Sequence, residues 1–152
     1  MLANLLTRRA KQGSRTFFSA LKGGKAIEPV KFQTVEDIAA NRNDFYRVVS
    51  DVNNYDQFLP WITKSEVHEE TRKSVNDNEG EFDATLAIGY GKIEFDYTSH
   101  VTYKSPETII SVSKGGVFFD ELYSKWNIHE VTYKTTKVNY EVEMTFSNPL
   151  YA

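Results

Sequence analysis

Three histidines, His68, His100 and His129, are the only imidazoles in this 152-residue chain, and they fall on separate segments. His100 alternates with Glu94 and Asp96, His129 alternates with Lys125 and Asn127, and His68 stands beside Glu69 and Glu70. A zinc site needs three or four ligands converging at about 2 Å, and neither HExxH nor another tight ligand spacing is present. These positions read as solvent-facing histidines. The adjacent acids Glu69-Glu70 and Asp120-Glu121 do not read as a catalytic carboxylate pair, because neighbours on a strand point to opposite faces. Without cysteine there is no thiol nucleophile, thiolate metal site, disulfide framework or CxxC redox centre. GxSxG, Walker A and GxGxxG are missing, and Gly89-Tyr90-Gly91 reads as a strand-end turn. We assign no catalytic residue, no metal ligand and no cofactor.

The sequence is rich in ring surface instead, with aromatics at 14% of residues. Phe95, Tyr97, Tyr103, Trp126, Tyr140 and Phe146 occupy apolar strand phases, expected to face Tyr55, Phe58 and Trp61. Core packing explains any one of them as well as a lined apolar cavity does, with a few hydroxyls to orient a ligand.

The elements that must position these rings follow from periodicity. Phe45, Val48, Val49 and Val52 fall at i, i+3, i+4 and i+7, which predicts a helix within residues 41–59. Asn41 or Asn43 can cap its start, and Asn53-Asn54 ends it or caps the next turn. Tyr55, Phe58 and Leu59 predict a second short helix stopped by Pro60. Beyond Trp61 the pattern alternates with period two: Phe82, Ala84, Leu86, Ile88, Tyr90; then Ile93, Phe95, Tyr97, Val101, Tyr103; then Val138, Tyr140, Val142, Met144, Phe146. Weaker strands fit 32–38, 63–70, 108–113 and 119–132, separated by turn signals at 76–80, Ser105-Pro106 and Gly115-Gly116. The expected class is α+β: one strand, two short helices, then about six strands in a curved antiparallel meander.

Charge divides the chain. Residues 1–31 carry a net +6 and the remainder −9. The opening segment is basic, acid-free up to Glu28 and partly amphipathic, which is the composition of a mitochondrial presequence. Arg8, Arg9 and Lys11 interrupt any secretory apolar core. We therefore expect a targeting segment over residues 1–28, a hinge at Gly23-Gly24, and a domain over 29–152. The acidic body disfavours nucleic acid as a partner. No stretch approaches the ~18 consecutive apolar residues of a spanning helix.

Specific strings carry a resemblance. Tyr46-Arg47-Val48-Val49-Ser50-Asp51-Val52, then Tyr55-Asp56-Gln57-Phe58-Leu59-Pro60-Trp61 and Ser65-Glu66-Val67, resemble the coenzyme Q-binding branch of the START-like, polyketide cyclase-like superfamily. The likeness continues through residues 84–90 and 97–101, Phe119, Leu122, Trp126 and the segment 142–151, and it spans roughly residues 30–152. It implies a helix-grip fold, a curved antiparallel sheet that grips a lipid under a long C-terminal helix. It further implies a non-enzymatic role: binding and chaperoning ubiquinone for respiration and for ubiquinone biosynthesis. By the same resemblance the location is the matrix side of the inner mitochondrial membrane, peripherally attached. The implied partners are ubiquinone and its polyprenyl intermediates, the inner-membrane surface, and respiratory or ubiquinone-biosynthesis complexes. Within the family pattern Tyr55, Phe58, Leu59, Pro60 and Trp61 correspond to the cavity mouth. Phe95, Tyr97, Phe119, Leu122 and Trp126 correspond to its wall.

Two other readings belong to the same superfamily: a polyketide cyclase or aromatase, and a ribosome-associating interaction module. The first needs an acid-base residue inside the cavity, and the second needs a surface suited to RNA. The family's C-terminal helix has no counterpart after Phe146, where only six residues remain and Pro149 opposes helix. The expectation is a shortened domain whose open groove self-associates, which light scattering against a helix-extended version would measure. Deleting residues 1–28 should leave the domain folded and lipid-binding yet abolish mitochondrial import; continued delivery to the matrix would refute the presequence.

Overall fold

The period-two alternation becomes one seven-stranded antiparallel sheet in the order β1-β7-β6-β5-β4-β3-β2. The computed structural model describes residues 29–90 and 93–147, so the expected targeting segment and the end of the chain lie outside the described residues. The strands are β1 (Val30–Ile38), β2 (Ile62–Asn76), β3 (Glu79–Tyr90), β4 (Ile93–Lys104), β5 (Thr108–Lys114), β6 (Phe119–Thr132) and β7 (Thr135–Phe146). Between β1 and β2 come α1 (Arg42–Ser50), a 3-10 turn (Val52–Asn54) and α2 (Tyr55–Phe58). The expected class and element order hold. Strands β2 to β7 form the meander, and β1 pairs with β7, so the first strand of the chain lies beside the last.

Local chemistry explains the boundaries. Asn41 caps α1, its Oδ1 accepting from the Asp44 N–H at 2.9 Å. Asn54 precedes α2 but makes no side-chain cap, and Asn53 does something else. Its Oδ1 accepts from the Val67 N–H at 2.7 Å, while Ser65 Oγ donates to the Asn53 carbonyl at 3.0 Å. Asn53 therefore fastens the helical segment to β2 and does not cap a helix. The sequence pattern put the β2–β3 turn at 76–80; it closes in only Asp77 and Asn78, because a two-residue hairpin suits the strand twist. Gly115 has φ +74°, a left-handed conformation that suits glycine in the β5–β6 turn.

Strict alternation fails at the bulges. Glu69 and Glu70 are both exposed, in a stretch where the β2–β3 register shifts between His68 and Lys73. Asp120 and Glu121 are both exposed beside the shift between Phe119 and Glu121. An extra residue on one strand breaks the two-residue phase, so adjacent acids need not face opposite ways. Glu69 is engaged by Arg72 at 2.7 Å, an ion pair on the surface.

The core lies between the helical segment and the sheet. Phe45, Val49 and Val52 pack onto Phe82, Ala84, Val101, Ile109, Ile128 and Val138. Phe45 is 1% exposed and meets Trp126 edge-on, with ring centroids 5.9 Å apart. Phe45→Ala should lower unfolding free energy by about 3–5 kcal/mol, and Asn41→Ala by about 1 kcal/mol, measured by urea denaturation. Equal small losses would mean that α1 does not cover the sheet.

Candidate functional site

Register builds the concave face from rows of side chains across neighbouring strands. Tyr140 lies beside Trp126 and Thr34, Val142 beside Ser124 and Phe32, and Met144 beside Leu122 and Val30. On the far half, Tyr97 lies beside Leu86, Ser99 beside Ala84, and Val101 beside Phe82. The opposite phase of β4, at Glu94, Asp96, Thr98 and His100, is exposed. One face is apolar with scattered hydroxyls and the part-buried Glu36 carboxylate of β1, and the other is wet.

The expected mouth and wall residues fall into two connected groups and one outlier. Tyr55, Leu59, Trp61, Phe95 and Tyr97 gather around buried Ile62 and Ile88. Phe95 and Tyr97 also pack against Phe119, Leu122, Met144 and Phe146. Phe119 joins the groups, its ring 5.5 Å from Tyr97 and 6.2 Å from Phe95. Phe58 meets Tyr55 edge-on at 5.4 Å, and Pro60 is exposed in the turn after α2. Trp126 sits apart, stacked on Tyr140 at 4.1 Å under Phe45. Tyr103, expected to face Tyr55 and Trp61, packs instead on Phe82 and lines a pocket of about 280 Å³ with Tyr46, Ser50, Arg72, Asp77, Ser105 and Ile109. Strand length accounts for this split, because β4 is 12 residues long and carries Phe95 near one end and Tyr103 near the other.

Sequence reasoning passed over Phe118 and the serines Ser99, Ser113 and Ser124. Phe118 lies 4.8 Å from Phe95. The parity of Ser99 with Tyr97 and Val101 was the signal that could have placed it on the dry face. His68 is partly buried and its Nε2 lies 2.8 Å from Thr85 Oγ1, while His100 pairs with Asp83 at 2.8 Å on the wet face. Among the described residues no group of three or more potential ligands could hold a metal ion, and no helix is long and apolar enough to cross a membrane.

Three phenols meet at the concave face, Tyr97 and Tyr140 from the sheet and Tyr55 from α2. Burial raises the Tyr140 hydroxyl to about 12, a rise that the nearby Ser124 hydroxyl partly offsets. Burial raises Tyr97 and Tyr55 further still, with Tyr140 adding to both. The Tyr55 hydroxyl donates to the Val49 carbonyl, which ties α2 to the end of α1. Phenols held so far above neutrality remain protonated hydrogen-bond donors and are poor general bases.

This geometry, an apolar concave sheet face carrying neutral hydroxyls, agrees with what the chain is similar to. The family model described as polyketide cyclase / dehydrase and lipid transport matches residues 38–152. The chain belongs to that family. A mitochondrial coenzyme Q-binding protein, COQ10 of Drosophila melanogaster, is 35% identical over 92 residues, covering 60% of this chain and 35% of that protein. The corresponding COQ10 protein of Dictyostelium discoideum is 27% identical over 150 residues, covering 92% of this chain and 71% of its own length. The chain thus spans about a third of the fly relative and most of the amoebal one. A START superfamily protein from Mycobacterium smegmatis superposes with a TM-score of 0.65 at 16% identity, covering 78% of this chain and 79% of that one. The helix-grip sheet inferred from the sequence is therefore the family's fold, and the named coenzyme Q-binding relatives are binding proteins of mitochondria.

The phenols set an alkaline limit on the family sheet in this chain. Between the unfolded value of 10.0 and the folded value of about 12 for Tyr140, the unfolded chain releases a proton that the native chain keeps. Stability from this source is therefore full below about pH 10 and is lost as pH rises toward about 12. Tyrosinate absorbance should show three phenols ionising only with unfolding. Titration of all tyrosines near pH 10 in the folded protein would contradict their burial.

Proposed function

We propose that this chain binds ubiquinone as a non-enzymatic lipid carrier or chaperone, peripherally on the matrix side of the inner mitochondrial membrane. In this reading it hands quinone, or its polyprenyl intermediates, to respiratory or ubiquinone-biosynthesis complexes. The observation that carries the reading is the continuous apolar band from Leu59 and Trp61 through Phe95 and Tyr97 to Phe119 and Leu122. A polyprenyl tail gains about 0.8 kcal/mol for each CH₂ it buries, so such a carrier needs ring and aliphatic surface more than reactive groups. The names of the mitochondrial relatives support the ligand, and the basic, acid-poor opening segment supports the compartment. Against a cyclase, the phenols of the band stay neutral, and the inward carboxylate Glu36 stands on β1 beside Thr34 and Val138, in the α1-covered part of the sheet and not among the band's rings.

Mass spectrometry of lipid extracted from the purified chain should find quinone; a chain that carries none and takes up none from vesicles would sink the reading. Trp61→Ala should reduce quinone retention at least severalfold while leaving a cooperative unfolding transition, because Trp61 is only partly buried beside Ile62 and Ile88. Unchanged ligand per folded molecule would make Trp61 a packing residue alone.

A further inference from the structure

Ser99 is a polar residue where packing alone would place a methyl group. It is 2% exposed, and its hydroxyl is fully buried with no hydrogen-bond partner among the described residues. Its phase on β4 is that of Tyr97 and Val101, which pack into the concave clusters, while Thr98 and His100 on either side are exposed. Its neighbour across the β3–β4 ladder is Ala84, 1% exposed, so nothing tall stands beside it on that strand.

The other side of Ser99 is where the sheet comes apart. The β4–β5 ladder runs from Lys104 with Thr108 to His100 with Val112 and stops there. Ser99 and Ser113 are the first inward positions beyond that stop, and both are buried, at 2% and 3% exposure. On the next strands Ser113 lies beside Leu122, and Ser111 beside Ser124. The result is a row of small hydroxyl side chains where two strands part, with Tyr97 the next inward residue along β4 from Ser99.

An unpaired buried hydroxyl destabilises the empty fold, whereas alanine at the same place would not. A hydroxyl placed there becomes favourable only when an acceptor reaches it. The Tyr97 phenol nearby remains a donor at every physiological pH. Serine and tyrosine hydroxyls that donate into a dry face complement a ring bearing several oxygen acceptors and no donor of its own.

We propose that Ser99, with Ser113 and Tyr97, forms a polar subsite for the carbonyl and methoxy oxygens of a quinone ring, leaving the polyprenyl tail to the aromatic band. The inference rests on the quinone-carrier reading and adds to it a ring-recognition site that borders the tail-binding band and shares Tyr97 with it. It makes the protein discriminate by head group as well as by apolar length.

The test uses the full chain with two probes of matched tail: a ubiquinone, and a polyprenyl alcohol that lacks the ring. Binding is followed by tryptophan fluorescence, and folding by thermal denaturation. Ser99→Ala should weaken quinone binding about fivefold to tenfold, the loss of one hydrogen bond. It should leave the alcohol's affinity within about twofold and the melting temperature unchanged or higher. Tyr97→Phe, which keeps the ring and removes only the donor, should show the same split. Unchanged quinone affinity in both folded variants overturns the subsite and leaves the carrier reading standing, as does an equal loss for both probes. Wild-type chain that binds neither probe overturns the carrier reading and the subsite with it.

Discussion

A seven-stranded antiparallel sheet with one apolar face is stable in water only if something covers that face. Here the described cover is the short helical segment between β1 and β2, and Phe45, Val49 and Val52 press it onto the centre of the sheet. Every other feature depends on that contact. The segment is held by polar fastenings at its far end, where Asn53 and Ser65 bind it to β2 and the Tyr55 hydroxyl closes onto Val49. A cover fastened by hydrogen bonds around its edge keeps its position while the rings beneath Leu59 and Trp61 stay only partly buried.

The face beneath is unusual in its mixture of rings and hydroxyls. An apolar core for stability alone would use aliphatic side chains in place of Ser99, Ser113 and Tyr97, because each hydroxyl costs desolvation unless it is paired. Burial keeps the phenols neutral, so they serve as hydrogen-bond donors rather than as bases. On the opposite surface His100 meets Asp83 and Lys73 meets Glu81, whereas Glu36 takes the inward phase of β1 and accepts from Thr34.

Likeness to the Mycobacterium smegmatis protein at 16% identity shows how little sequence this sheet requires. Its strands need only one apolar phase and suitable turns, and those conditions admit many side chains. Ligand choice must therefore reside in particular positions on the concave face rather than in the fold. The aromatic band around Phe95 and Phe119 and the buried serines Ser99 and Ser113 are the two groups of such positions that depart from a plain aliphatic core.

The alternation of Phe82 to Ile88, Phe95 to Tyr103 and Val138 to Phe146 was sufficient to place three strands and their inward phase, since side-chain direction in a strand is set by backbone geometry. Asn41, the 3.6-residue spacing of Phe45 and Val49, and Pro60 likewise located both helices, because caps and helix breakers act within a few residues. The absence of catalytic motifs, the basic opening segment and the family strings were also readable directly. Register and bulges were not, because they arise between strands far apart in the chain. The pairing of β1 with β7, the separation of Tyr103 from Tyr97, and the exposure of both Glu69 and Glu70 follow from those long-range contacts. Serine parity could be counted in the sequence, but burial of Ser99 beside Ala84, at the point where β4 and β5 part, was decided only by tertiary structure. A strand pattern states which way a side chain points; only the assembled sheet determines what stands opposite it and whether water can reach it.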